Sequence, residues 1–330
     1  MQEGRKNMIC LKVPTSLKQA DDRPVKIGAS LFLPTANTPK QMFVCLPGGD
    51  MSRGFFDLHI LDEDGPDNGD FSFAQTMTGM GFAVLTMDYP GVGDSDAVGD
   101  PYATTTNMVA AAMLAASRDV IALIREGGIN GVEPMPALKC IGLGHSMGAL
   151  FTVLQQSLNE PYRALVLLGF STSGLPDKVP PEILAIANDP IKLQKQLPIW
   201  ARTVFEAPPP VARRDKSFDK TRIVFKNDAA DPRGLRALKA IRTKPRLPLP
   251  AVEAMLPGKV SLEAACTCVP IFLGVGEHDI AGPAHQLPVA FPASKEITLH
   301  VVESAGHSMF PFPSRHRLFT RIASWAKSLD

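Results

Sequence analysis

The sequence predicts an α/β protein: a mostly parallel central sheet with helices on both faces, carrying one inserted, mainly helical segment. Three observations predict it. Short, continuously apolar runs alternate with longer stretches of helical periodicity, the pattern of strands buried on both faces. The rhythm stops between about residues 171 and 267 and then resumes. Finally, the chain has 330 residues, 45% of them hydrophobic, enough for one large domain with an insertion and a substantial core.

The elements follow in order. Met8–Val13 and Val25–Leu33 read as opening strands, and Met42–Leu46 as a third that ends abruptly in Pro47-Gly48-Gly49. The acidic stretch from Asp62 to Asp70 has no place in a core and reads as a surface excursion. A calcium loop is the sharper alternative there, but the EF-hand spacing and its closing Glu are missing. A short helix from Ser72 to Thr78 is ended by Gly79 and Gly81, and Phe82–Met87 is a buried strand. That strand runs into the turn Asp88-Tyr89-Pro90-Gly91-Val92-Gly93-Asp94-Ser95. Asn107–Arg125 is Ala-rich with apolar residues at helical spacing, hence a long helix. Leu138–Leu143 (strand), Ala149–Leu158 (helix) and Ala164–Leu168 (strand) continue the alternation.

The interrupting segment is rich in proline, as at Pro180, Pro181 and Pro208–Pro210, and in basic charge at Arg213, Arg214, Lys216, Lys220 and Arg222. Its amphipathic patches, Ile183–Ala187 and Leu193–Phe205, predict short helices. A segment of this size between two strands of one sheet is expected to be a subdomain rather than a structureless loop. Strands at Val269–Val275 and Ile297–Val302 and a helix at Ser314–Leu329 then complete the fold. The expected organisation is a core of residues 1–170 and 268–330, with 171–267 inserted.

Charge excludes one class of function. With 34 Lys and Arg against 33 Asp and Glu, the chain lacks the basic excess that phosphate neutralisation needs, so no nucleic-acid partner is expected. The five cysteines are scattered. Cys45 and Cys140 sit in apolar runs, and Cys266 and Cys268 lack a second pair at zinc-site spacing, so no metal is expected. Residues 1–7 carry charge with no apolar stretch behind them, and no run approaches the roughly 20 apolar residues of a membrane span. A cytoplasmic protein with reduced thiols, no membrane association and no cofactor is the expectation. The composition says nothing of oligomeric state.

Gly144-His145-Ser146-Met147-Gly148 carries the chemistry. It follows a predicted strand and precedes a predicted helix, the setting in which G-x-S-x-G makes a sharp turn. Side chains two before and two after the serine would collide there, so both positions are glycine. The turn lifts the Ser146 hydroxyl to a helix N-terminus, where the peptide N–H of Met147 can donate to an oxyanion. A serine needs a base, and the base an orienting acid. Among seven histidines, His307 is the best base, in the small-residue turn Glu303-Ser304-Ala305-Gly306-His307 after the final strand. Asp279 is the expected acid, in Gly276-Glu277-His278-Asp279 after the preceding strand, with Glu277 as the fallback. No carboxylate follows the strand ending near Leu168, where Gly169-Phe170-Ser171-Thr172 stands, which favours Asp279. His145 either lines the pocket or packs beneath the site.

From about Val25 to its end, the insertion aside, the chain resembles the α/β-hydrolase superfamily. Four matches in the right order carry the resemblance: Pro47-Gly48-Gly49, the Asp88–Ser95 turn, the Ser146 elbow and the Asp279/His307 pair. The turn looks like the superfamily's D-x-x-G-x-G-x-S and is expected to shape the site without doing chemistry. The resemblance implies a second oxyanion donor after the third strand. Families with His-Gly there use the next peptide N–H, which maps to Gly49, but Pro47 stands in the histidine's place and leaves Asp50 as an alternative. It also implies that 171–267 is a cap over the site. Trp200, Phe205, Phe225 and Met255 are candidate pocket residues with His145, although an aromatic in a cap serves equally to hold the cap together. The cluster Arg213/Arg214/Lys216 reads as a solvated face. The implied activity is hydrolysis of a carboxylic ester or lactone of a bulky, mostly apolar small molecule through a seryl acyl-enzyme. Thioesterase, amidase, carbon–carbon bond hydrolase and acyltransferase reactions use the same three side chains. The intact set of Ser146, Asp279 and His307 argues against a ligand receptor that kept the fold without catalysis.

Overall fold

Every apolar run read as a strand is one in the computed structural model, which describes residues 8–206, 229–244 and 246–329. The strands are β1 (Met8–Lys18), β2 (Pro24–Phe32), β3 (Gln41–Leu46), β4 (Ala83–Met87), β5 (Lys139–His145), β6 (Ala164–Leu168), β7 (Ile271–Gly276) and β8 (Ile297–Val302). They form one 8-stranded sheet in the order β1-β2-β4-β3-β5-β6-β7-β8. From β4 across to β8 every pair is parallel, whereas β2 runs antiparallel to both β1 and β4. β1 extends five residues past the expected Val13 end, because its register with β2 shifts between Pro14 and Lys18 and pairing resumes at Lys18–Pro24.

The helices in chain order are α1 (Phe73–Gly79), α2 (Thr106–Glu126), α3 (Met147–Asn159), α4 (Pro181–Leu184), α5 (Pro190–Phe205), α6 (Pro232–Ala240), α7 (Pro248–Glu253), α8 (Ser261–Cys266) and α9 (Arg315–Ser328). Local chemistry sets their ends. Thr105 accepts from the Met108 N–H to start α2, and Gly127, at φ 74°, ends it in the left-handed conformation that favours glycine. Ser72 caps α1 in the same way through the Gln75 N–H.

Strand alternation divides the core between the two faces. Met42, Val44 and Leu46 of β3 join the α2 and α3 side, with Val109, Met113, Leu150 and Phe151. Phe43 and Cys45 join the α1 and α9 side, with Phe73, Met77, Phe319 and Trp325. An aromatic stack dominates this second face: Phe310 lies 4.5 Å from Phe55 and 4.8 Å from Phe319, ring centre to ring centre. By length and composition α2 is the one described helix apolar enough to cross a membrane, but most of that apolar stretch is buried against the protein.

The helical insertion between β6 and β7 spreads its packing. α4, α5 and α7 share their own cluster, built from Ile183, Leu197, Trp200, Ala201, Leu249 and Val252. Ala237 and Leu238 of α6 join the α1/α9 face of the main core, and Val260 and Ala264 join the opposite face. Buried Glu253 accepts from Thr106 at the start of α2 and pairs with Lys259 at 2.5 Å. The Arg202 guanidinium sits 4.0 Å over the Tyr102 ring. The insertion is therefore tied to the sheet domain along the strands' C-terminal side.

The acidic excursion is organised by protein cations. Asp64 pairs with Arg236, and His59 bridges Asp57 at 2.8 Å and Asp67 at 2.5 Å. The Asp57 hydrogen bond, the leading cause, raises His59 from its ordinary value to about 9 in spite of its burial. A group raised on folding contributes stability that is fully present below its unfolded pKa and is lost as pH rises through its folded one. Stability is thus expected to fall between about pH 6.5 and about pH 9. With 30% of the His59 side chain exposed, screening limits the loss to roughly 1–2 kcal/mol. Urea unfolding at pH 6 and pH 10 checks this, and His59→Ala is expected to flatten that stretch of the curve.

Candidate active site

The site is assembled at the C-terminal ends of β3, β5, β7 and β8. Between β5 and α3 the chain reverses at Ser146, with φ 54° and ψ −119°, a backbone region that residues with a side chain seldom enter. A side chain at Gly144 would overlap the carbonyl of Gly148 and the main chain of Ala149, and one at Gly148 would overlap the carbonyls of Leu46 and Pro47. Both glycines are steric requirements. The Ser146 N–H donates to the Leu168 carbonyl at 2.8 Å, fixing the turn to the neighbouring strand. α3 begins at Met147, two residues before the expected Ala149, because the turn leads directly into it.

His307 and Asp279 arrive from the next two strand ends. The turn after β8 is pinned from the turn after β7: Glu277 accepts from the Ser304 N–H at 2.8 Å, and the His278 N–H donates to the Ala305 carbonyl at 2.9 Å. Glu277 is exposed and serves the loop that carries the histidine, while Asp279 reaches the ring. Asp279 Oδ1 lies 2.7 Å from His307 Nδ1, and His307 Nε2 lies 2.9 Å from Ser146 Oγ. A carboxylate only accepts, so Nδ1 carries the proton and the Nε2 lone pair faces the serine O–H. Burial of the Asp279 side chain acts to raise its pKa. The His307 ring and the N–H groups of Ala281 (3.0 Å) and Gly276 (3.3 Å) outweigh that and hold it below the ordinary carboxylate value. Gly169, at φ 57°, backs onto the imidazole, where a Cβ would stand 3.0 Å from the ring. Glycine here leaves the ring and the Asp279 carboxylate room to meet.

The loop after β3 is held through its main chain. Tyr89 donates to the Pro47 carbonyl at 2.8 Å, and the Met51 N–H donates to the Gly48 carbonyl at 3.2 Å, closing a tight turn over Gly49 and Asp50. Among the described residues, nothing accepts from the peptide N–H groups of Gly49, Asp50 or Met147. Gly49 stands against the Met147 side chain, with a Cβ there 3.3 Å from the sulfur. Two supports of this loop escape sequence reading. Arg53 donates its own N–H to Asp88 at 2.6 Å, while its guanidinium pairs with Asp88 and Asp94 and bonds the Ser30 hydroxyl. From the insertion, Arg242 pairs with Asp50 at 2.5 Å, and the Thr243 N–H donates to the Asp50 carbonyl at 2.9 Å. The Asp88–Ser95 turn acts structurally: Asp88 is fully buried on Arg53, and Ser95 accepts from the Gly28 N–H at 2.9 Å.

The candidate pocket residues are distributed differently. His145 is buried beneath the site, its Nε2 2.9 Å from the His307 carbonyl. Trp200 is buried inside the insertion's own cluster, with Phe205 and Met255 packed on its margin. Phe225 and the cluster Arg213/Arg214/Lys216 lie outside the described residues.

Residues 43–321 match the model of a family described as the alpha/beta hydrolase family. Comparison with curated proteins gave no match. Solved structures resemble the chain along its whole length. An esterase from Thermogutta terrifontis is 15% identical with a TM-score of 0.63, over 97% of this chain and 98% of that one. A carboxyl esterase from Bacillus coagulans is 16% identical with a TM-score of 0.63, over 98% of each chain. An epoxide hydrolase from Vigna radiata is 14% identical with a TM-score of 0.59, over 98% of each chain. Likeness at this level of identity speaks to fold alone.

The two acidic positions separate in a rate measurement. Asp279→Asn is expected to lower kcat/KM for an activated ester by about 10³–10⁴-fold, because the amide no longer fixes the required His307 tautomer. Glu277→Gln keeps an acceptor for Ser304 and is expected to change the rate by less than about 3-fold.

Proposed function

The chain belongs to the alpha/beta hydrolase family, and from that premise we propose that it is a serine hydrolase cleaving a carboxylic ester or lactone of a bulky, mostly apolar small molecule. One observation carries the reading: the relay from Asp279 through His307 to Ser146, with bonds of 2.7 and 2.9 Å. In the proposed reaction Ser146 Oγ attacks the carbonyl carbon as its proton passes to His307 Nε2. The imidazolium so formed is stabilised by Asp279 and returns the proton to the leaving alkoxide as the C–O bond breaks. Water then attacks the acyl-enzyme by the same route, and Ser146 recovers its proton as the acid is released. Such acyl transfer needs no cofactor.

The unpartnered N–H groups of Met147 and of the Gly49–Asp50 turn support an oxyanion site, each donor of this kind contributing about 3 kcal/mol to the transition state. A serine at the elbow argues against epoxide opening, which needs a carboxylate nucleophile there. The insertion, braced along the strand ends, fits a cap that encloses a small substrate and not a polymer, which is the support for the substrate class.

A fluorophosphonate probe and intact mass test the reading. Parent protein is expected to gain one adduct and Ser146→Ala none, with ester turnover by the variant down at least about 10³-fold. An adduct that persists in the variant, or a folded parent that neither labels nor turns over esters, overturns it.

A further inference from the structure

His145 occupies an unusual place for a polar side chain. Only 1% of it is exposed, and its ring touches two of the loops that build the site, those after β3 and after β8. Nε2 lies 2.9 Å from the main-chain oxygen of His307. A carbonyl only accepts, so Nε2 carries the proton and Nδ1 has the lone pair. Nδ1 is buried without a hydrogen-bond partner in the described structure and faces Gly48, where a Cβ would stand 3.0 Å away. The ring is stacked on Phe55, at 4.6 Å and 27° between planes, and lies 4.9 Å from the ring of His307. An apolar ring would fill this space without stranding a buried nitrogen. The imidazole earns its place through the one bond it makes.

We propose that His145 is a positioning residue: its Nε2–H holds the main chain of His307, so that the His307 ring meets Asp279 and Ser146 at once. The inference rests on the reading of Ser146 as nucleophile and His307 as base. Its geometry follows from the elbow, since the residue before the nucleophile ends β5 and points beneath the sheet edge toward the loop after β8. The same ring limits the loop after β3, because Gly48 is the residue that lets the main chain pass over it. His145 is uncharged in this role. Burial first, and the neighbouring His307 second, lower its pKa to about 3, so no second cation opposes the imidazolium formed on His307 during attack.

Two measurements test this. In the parent enzyme labelled with ¹⁵N-histidine, long-range ¹H–¹⁵N spectra at pH 7 are expected to show His145 as the neutral Nε2–H tautomer. An Nδ1–H tautomer or an imidazolium overturns the proposal. In ester kinetics, His145→Phe keeps the stacked ring but removes the donor, and is expected to lower kcat by about 10–100-fold while KM changes less than about 2-fold. His145→Gln restores an N–H donor and is expected to return kcat to within about 5-fold of the parent. Folded His145→Phe with parental kcat, or a Gln variant no better than Phe, overturns the proposal. If His145→Phe does not fold, the tautomer and the Gln variant decide. Failure of the underlying reading looks different: a parent that takes no fluorophosphonate and turns over no ester, whatever tautomer His145 adopts.

Discussion

The backbone reversal at Ser146 is the constraint from which the rest of the site follows. A residue with a side chain held at positive φ costs of order 1–3 kcal/mol, and it persists only where its surroundings leave it no alternative. Here those surroundings are the glycines on either side and the bond from the Ser146 N–H to β6. The reversal presents the hydroxyl at the start of α3 and leaves the first helical N–H without a partner. It also brings Gly148 against the carbonyls of Leu46 and Pro47, so the Ser146 turn and the loop after β3 share one contact surface. Neither can shift alone.

Around that turn the protein spends buried polar groups on main-chain position. Asp88, fully buried, pairs with the largely buried Arg53 and accepts from the Arg53 N–H, and the next residue, Tyr89, donates separately to the Pro47 carbonyl. Removing one member of such a pair strands the other, so the pair specifies one arrangement of the loop. On the opposite side the insertion contributes Arg242 and Thr243 to Asp50. The loop after β3 is therefore gripped by both the sheet domain and the insertion, which gives a physical route by which packing in the insertion affects the candidate site.

The strands were legible because parallel strands buried on both faces are continuously apolar, and the elbow because two glycines at fixed spacing answer a steric problem that is itself local. His307 and Asp279 could be chosen because each follows a strand end, where the fold collects functional groups. What escaped was non-local. Nothing around Arg53 announces Asp88, 35 residues on, and Arg242 is 192 residues from Asp50. The register shift that prolongs β1 depends on its partner strand. Trp200 shows how far pattern reading goes: its burial could be anticipated from helical spacing, but the surface it is buried against is the insertion's own cluster. That His145 lies beneath the site depends on the position of the His307 carbonyl, 162 residues away.

The proposed reaction passes through a covalent intermediate, and a single experiment can see it. The protein would be mixed with a p-nitrophenyl ester chosen for slow deacylation, quenched in acid within milliseconds, and read by intact mass and peptide mapping. The expected result is a mass increase equal to one acyl group, located on Ser146 and accompanied by a stoichiometric burst of p-nitrophenol. Rapid turnover with no acyl species at any time, or an acyl group on another residue, would contradict the assignment of Ser146 as the nucleophile.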